Sequence, residues 1–330
     1  MTDPINMALI GCGGMGRSHM RRARDVPELN FAAYVDALEE AAASACEEFG
    51  GRYYTTDAET VWDDDDIDAV LIATHHDSHT PFATQAAAAG KHIFLEKPMA
   101  LTIEECLEIE EAVAKAGVKL MMGFKFRFAP LVAKVKEVIP KPLVTVGQSL
   151  HANMKGWAIT PERGGGPVLS NGCHAFDLVY WLNESEPVRI SAAGGALTHP
   201  EIGLVDNAAV SVQFENGSIA SIIAGDSGDA RYTSKFFFEV LDGQRTATLH
   251  DRCHKVTFGG CEMDSLSVEE LPPPAPSDPE GTRGELEAWA RCLLDDTEPP
   301  IGPRDGTRAT AMVLKAFEAI RSGKTQELGL

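Results

Sequence analysis

The first third of the chain alternates short apolar runs with amphipathic stretches. Residues 6–10, 31–35, 69–73, 92–95 and 119–122 are nearly continuous apolar segments and predict strands. Helices are predicted between them: over 14–24, up to about Phe49, over 81–89, and from Thr102 to Gly117. The last of these opens with Thr102-Ile103-Glu104-Glu105, a capping box. Its apolar positions (Ile103, Cys106, Leu107, Ile109, Ala112 and Val113) keep helical spacing, and Gly117 supplies the stop. Strands that are apolar on both faces and alternate with helices predict a parallel sheet covered on both sides.

The rhythm changes near Val144. From there to about Glu269 apolar and polar residues alternate, the period of half-buried strands. Residues 210–214 and 218–222 flank Glu215-Asn216-Gly217, a tight-turn sequence, and Asp242-Gly243 separates 236–241 from 245–249. An antiparallel meander is expected, interrupted by one helix over 170–182 that follows Gly164-Gly165-Gly166-Pro167. A proline-rich segment, 272–279, closes the strand region, and two helices follow, over 282–294 and 305–322. The fold class is therefore α/β plus α+β, with a parallel-sheet domain over 1–122 and a mostly antiparallel domain over 123–330. The terminal helices are candidates to pack back on the first domain.

Composition narrows the class. A chain of 330 residues accommodates about two domains. With 44% hydrophobic and 24% charged residues it is ordinary globular material, which excludes disorder, collagen-like repeats and coiled coils as the main architecture. The formal net charge of −20 repels polyanions, so nucleic acid is not an expected partner. No apolar run approaches a membrane span, and Met1-Thr2-Asp3-Pro4 opens no signal peptide. The seven cysteines are scattered and form no C-x-x-C pair, which fits reduced thiols and a cytoplasmic location.

Gly11-Cys12-Gly13-Gly14-Met15-Gly16 fits G-x-G-x-x-G between the first strand and the first helix. Gly11 permits the tight turn, Gly13 lets the backbone approach a pyrophosphate, and Gly16 allows close packing of helix on strand. The amides of this turn, with Gly14 and Met15 opening the helix, then face an anion. Asp36 ends the second strand, twenty residues after Gly16, where a carboxylate accepts ribose hydroxyls and repels a 2′-phosphate. No Arg or Lys lies between 37 and 51, so NAD is favoured and NADP remains the alternative.

Gly90-Lys91-His92-Ile93-Phe94-Leu95-Glu96-Lys97-Pro98 resembles the signature of the glucose–fructose oxidoreductase, inositol dehydrogenase and rhizopine-catabolism (Gfo/Idh/MocA) family. Gly123-Phe124-Lys125-Phe126-Arg127-Phe128-Ala129-Pro130, the glycines 164–166 through His174 to Asp177, and Asp305-Gly306 also resemble family segments, in the same order. The resemblance implies a Rossmann domain plus a domain with a large open sheet, whose outer face commonly builds dimers or tetramers. It implies hydride transfer between a nicotinamide and a carbinol carbon of a sugar, cyclitol or polyhydroxy acid. Lys97 would polarise the hydroxyl, with Glu96 as its partner, and His174 would be the acid/base. Asp177, at i+3 on the same helix face, would orient the ring or satisfy local polar groups. Thr74, His75 and His79 would line the nicotinamide side. Lys125, Arg127, Trp157, Arg163, Ser170 and Asn171 are candidate substrate contacts. Ser170 departs from the inositol-dehydrogenase type, which carries Asp four residues before the histidine, so an Asp–His relay is not implied.

The run His75-His76-Asp77-Ser78-His79 also suits a metal, but it follows a Rossmann strand and no metal is expected. Two other function classes stay open. One is an NAD-using glycosidase or lyase that returns its hydride each cycle. The other is a non-catalytic, dinucleotide-dependent regulatory protein on the same fold.

Overall fold

The computed structural model describes residues 4–229 and 234–329; residues 1–3, considered above as a leader, lie outside them. The chain divides into two compact units, Met1–Phe124 with Thr282–Thr307, and Lys125–Gly281 with Arg308–Leu330. The first part of the chain thus runs two residues beyond the expected 122, and a late segment returns to it.

The first unit contains six strands: β1 (Ile5–Ile10), β2 (Leu29–Val35), β3 (Tyr53–Thr55), β4 (Ala69–Ile72), β5 (His92–Leu95) and β6 (Leu120–Met122). All pair in parallel, in the order β3-β2-β1-β4-β5-β6. The helices between them are α1 (Gly14–Ala23), α2 (Glu39–Phe49), α3 (Glu59–Trp62), α4 (His79–Ala88) and α5 (Ile103–Ala116). Strands β1, β4 and β5 are buried almost throughout, as their continuous apolar runs require. The α5 box forms: Thr102 Oγ1 accepts from Glu105 N at 3.1 Å, and Glu105 Oε2 accepts from Thr102 N at 3.0 Å. Strand β3 has no counterpart in the sequence reading, because Tyr53-Tyr54-Thr55 is a three-residue edge with no periodicity to detect. The strand order reverses between β1 and β4. In such sheets ligands bind beyond the carboxyl ends at that point, which is where the Gly11–Gly16 turn, Asp36, Thr74 and Lys97 emerge.

The second unit begins with α6 (Pro130–Val138), β7 (Val144–Leu150) and α7 (Cys173–Asn183). Then come β8 (Pro187–Gly195), β9 (Asn207–Phe214), β10 (Ile219–Gly225), β11 (Phe236–Leu241), β12 (Thr246–His250), β13 (Lys255–Gly259) and β14 (Ser265–Ser267). Helices α8 (Thr282–Leu294) and α9 (Pro303–Ser322) and the short β15 (Gln326–Glu327) complete the chain. Nine strands form one sheet in the order β14-β13-β12-β11-β7-β10-β9-β8-β15. The sheet is mixed and mostly antiparallel, and it corrects the meander in one respect. Strand β7 inserts between β10 and β11 and runs parallel to β10. That pairing joins segments some seventy residues apart, and no local pattern encodes it. The expected hairpin does form: β9 and β10 pair antiparallel across Asn216-Gly217, with Gly217 at φ +86°.

Helix α7 lies on β7, where a Cβ at Gly147 would stand 2.8 Å from Val179 Cγ2. Its regular part begins later than expected. Val168–Gly172 is a π-helical turn, and a Cβ on Gly172 would stand 3.0 Å from Ala224 Cβ of β10. Helix α8 belongs to the first unit, where Trp289 packs edge-on against Phe94 of β5 at 6.3 Å.

The loop between β8 and β9 is organised by one buried carboxylate. Asp206 accepts from the main-chain N–H groups of Leu197 (2.7 Å), Thr198 (2.9 Å) and His199 (2.5 Å) and from the Asn207 amide (2.9 Å). Burial pushes its carboxyl up, but the bonds from Leu197, His199, Asn207 and Thr198 prevail and hold it below the usual range. A depressed carboxylate contributes stability above its unfolded pKa and loses it as pH falls through the folded value. Asp206→Asn should therefore lower stability by about 1–3 kcal/mol at pH 7. In thermal melts, the gap from wild type should close below about pH 4.

Candidate active site

In the first unit the carboxyl ends of β1, β2, β4 and β5 carry the candidate site residues. Gly11, at φ +97°, takes a conformation that glycine allows, and a Cβ there would stand 2.7 Å from Ala73 O. A Cβ on Gly16 would fall 2.1 Å from Gly11 O, so the first turn of α1 sits directly on the glycine turn. Gly13, Gly14 and Met15 are exposed, and α1 has no side-chain cap on its first amides. Open amides at a helix N-terminus with room above them fit a pyrophosphate. Asp36 is tied to the same turn: Oδ2 accepts from Cys12 N at 2.8 Å and Oδ1 from Leu38 N at 2.9 Å. The Cys12 thiol is pushed up to about 12 by burial and by Asp36, which removes it from thiolate chemistry.

Thr74 and His75 follow β4, and Ser78 Oγ reaches both Thr74 Oγ1 (2.8 Å) and His75 O (2.7 Å). His79 opens α4 fully buried, with Nδ1–H donating to Pro98 O at 2.8 Å. Burial holds its imidazole below the usual range and therefore neutral at pH 7. Lys97 is half-buried just past β5, before a cis bond to Pro98. Glu96 is buried, and its Oε2 accepts the Lys97 main-chain N–H at 3.1 Å. The Lys97 peptide is thus gripped from Glu96 on one side and from His79, through Pro98, on the other. Among the described residues no three His, Cys, Asp or Glu side chains converge to hold a metal.

In the second unit His174 stands on the first turn of α7, buried, with Phe126 and Phe236 edge-on to its ring at 5.2 and 5.7 Å. Ser170 is buried on the π-helical turn before it, and Asn171 Oδ1 accepts from Lys235 Nζ at 3.2 Å. Asp177, one turn along, is buried and receives Arg127. Nε stands 3.1 Å from both carboxylate oxygens and Nη2 2.5 Å from Oδ1. Lys125 ion-pairs with Glu280 at 2.5 Å, and Arg252 meets the same carboxylate at 2.5 Å. Burial pushes the Glu280 carboxyl up, yet these two cations hold it below the usual range. Trp157 is half-buried on a short 3₁₀ turn, and Arg163 is exposed.

Two of the expected substrate contacts, Lys125 and Arg127, therefore belong to internal ion pairs. Sequence reasoning did not find Lys235, Phe236 or Glu280, which topology alone brings beside the α7 and 125–128 segments. It also missed a carboxylate clamp next to them. Asp226 Oδ2 accepts from Met154 N at 2.8 Å and lies 2.7 Å from His199 Nε2, while Oδ1 is 3.5 Å from His151 Nδ1.

Comparison with known proteins agrees with this geometry. The profile of the oxidoreductase family with an NAD-binding Rossmann fold, GFO_IDH_MocA, matches residues 5–124, and that of the GFO/IDH/MocA C-terminal domain matches 143–243. The uncharacterised oxidoreductase YrbE of Bacillus subtilis (strain 168) is 31% identical over 233 residues, 67% of each chain. The scyllo-inositol 2-dehydrogenase (NAD(+)) of the same organism is 26% identical over 338 residues, 99% of this chain and 97% of that one. A levoglucosan dehydrogenase solved in complex with NADH shares the fold, with a TM-score of 0.89 at 21% identity over 99% of this chain and 100% of that one. With the glycine turn on β1, the Glu96-Lys97-Pro98 turn on β5 and both family domains in order, the chain belongs to the Gfo/Idh/MocA oxidoreductases.

Proposed function

We propose that this oxidoreductase is an NAD-dependent dehydrogenase or reductase acting on a CH–OH carbon of a sugar, cyclitol or related polyhydroxy acid. The observation that carries the reading is the Lys97 peptide, fixed from both sides at the carboxyl edge of the parallel sheet beside the glycine turn. The names of relatives support the substrate class: scyllo-inositol 2-dehydrogenase, inositol 2-dehydrogenase and levoglucosan dehydrogenase. NAD, when bound, supplies the nicotinamide that accepts or returns hydride. The amides of Gly13, Gly14 and Met15 would hold its pyrophosphate, and Asp36 its adenosine ribose. Thr74, His75 and His79 fit the nicotinamide side.

In this reading Lys97 directs its ammonium at the reacting oxygen and stabilises developing alkoxide charge. His174 takes the hydroxyl proton, or returns it in the reverse direction. Asp177 anchors Arg127 rather than exchanging protons, because both guanidinium and carboxylate are buried on each other. Ser170, Asn171 and Trp157 remain the substrate contacts of choice, and exposed Arg163 completes that set. The free thiols fit a cytoplasmic enzyme, and no described helix is long and apolar enough to cross a membrane. Exposed Ile219 and Ile223 on the face of the large sheet opposite α7 support assembly of copies into a dimer or tetramer.

NAD titration followed by the NADH absorbance band, over an inositol, anhydrosugar and sugar-acid panel, tests the activity. Lasting NADH production supports it. Failure of both NAD and NADP to bind overturns it, and turnover of a glycoside without net NADH points to the hydride-returning alternative. Lys97→Ala and His174→Ala should each lower kcat by about 100-fold or more while the Kd for NADH, read by fluorescence, changes little. Asp36→Ser should weaken NAD about 10–100-fold and narrow the gap to NADP, measured by the same titration. Asp177→Ala leaves Arg127 buried without its partner. Denaturant unfolding should show a loss of about 3–5 kcal/mol.

A further inference from the structure

Three ionisable side chains meet in the interior of the first unit, and the reading above uses only one of them. His19 lies on the buried face of α1, three residues after Gly16, and is wholly inaccessible to solvent. Its Nε2 stands 2.6 Å from Glu96 Oε1. Its Nδ1 stands 3.9 Å from Oε1 of Glu285, a wholly buried carboxylate near the start of α8. Phe94 walls the ring edge-on at 5.4 Å and is itself backed by Trp289. On the far side of Glu96 a Cβ on Gly123 would stand 3.4 Å from Glu96 Cδ, so the carboxylate is closely confined there.

Such a cluster is a poor way to gain stability. Buried carboxylates lose their hydration, and apolar side chains of the same volume fill such space at no loss. What distinguishes this cluster is its location, because the other oxygen of Glu96 accepts the main-chain N–H of Lys97.

We propose that His19 and Glu285 are positioning residues for Lys97, acting through Glu96. His19 donates from Nε2 to Oε1 and fixes the carboxylate plane, which leaves Oε2 aimed at the Lys97 N–H. Glu285 stands behind Nδ1 and sets the ring. The charged and titratable groups along this chain of contacts are Glu96 and Lys97, which follow β5, Glu285 of α8 and His79 of α4. The proposal rests on the dehydrogenase reading only for the role of Lys97. The placement of Lys97 can be read without turnover.

Reductive methylation with ¹³C-formaldehyde gives each lysine an NMR signal, and Lys97→Ala identifies the one from Lys97. His19→Leu should displace that signal. His19→Gln, which keeps an N–H donor near the place of Nε2, should return it toward the wild-type position. Glu285→Gln, which keeps shape and removes charge, should displace it in the same sense by less. A Lys97 signal unmoved in both His19→Leu and Glu285→Gln overturns the proposal, as does equal displacement by His19→Leu and His19→Gln. Turnover of scyllo-inositol with NAD provides the second readout. His19→Leu should lower kcat about 10–100-fold while KM for NAD stays within about twofold. In the Lys97→Ala background it should cost nothing further, and full additivity of the two losses overturns the proposal. A wild-type chain that oxidises no panel compound counts against the dehydrogenase reading, while the lysine signals still decide the positioning role.

Discussion

The Glu96 carboxylate is the contact on which the candidate site of the first unit depends. Strand β5 ends at Leu95, and the last ladder bond on its β4 side runs from Glu96 N to Ile72 O at 3.0 Å. Here one oxygen of the last acidic side chain turns back onto the next main-chain N–H, while the other is engaged by a histidine from α1. The helix that carries this histidine also presents the open amides of Gly13 to Met15 at its N-terminus. The absence of a Cβ on Gly16 seats that helix against Gly11 O. The cofactor cradle and the lysine turn are therefore held by one rigid element, α1, and a shift of that helix would move both.

Much of the fold was legible because its signals are local. Continuous apolar runs marked β1, β2, β4, β5 and β6, and Thr102, Glu105 and Gly117 marked the ends of α5. Asn216-Gly217 marked a hairpin. What escaped the reading is non-local. Nothing near Val144 says that β7 will lie between β10 and β11, since the three strands read alike and only the assembled sheet selects neighbours. The start of α7 escaped for a different reason: the π-helical turn at Val168–Gly172 answers to close packing on Ala224, fifty residues further on. At the site, glycine spacing and the Glu96-Lys97-Pro98 turn were readable because each is a few residues of backbone chemistry. The clamp behind Glu96 was not, because its members come from residues 19, 96 and 285. A buried histidine at helical spacing from Gly16 was its only local trace.

The ion pairs of the second unit change how its basic residues are understood. Lys125 and Arg127 are two residues apart and read as candidate substrate contacts in the sequence. In the fold each meets a carboxylate from a distant segment, Glu280 and Asp177. The Arg127–Asp177 pair fastens the 125–128 turn to α7 and so sets where Phe126 stands against the His174 ring. Breaking it would move the surroundings of His174. The charges of Lys125 and Arg127 are thus spent on ion pairs inside the second unit.

The same logic governs how a chain of net charge −20 can hold an anionic cofactor. Arg17, the basic side chain nearest the glycine turn in sequence, points back into the protein. Its Nε donates to Cys12 O at 3.1 Å and its Nη1 meets Glu48 at 2.5 Å. In the proposed reading, attraction for the pyrophosphate comes from main-chain dipoles at the start of α1. Dipoles act over the length of a hydrogen bond, well inside the screening distance of physiological salt. Recognition built that way depends on the backbone standing in the right place more than on the field of the whole molecule. That is why Gly11 and Gly16, which let the backbone come so close, matter more to this site than any cation on its surface.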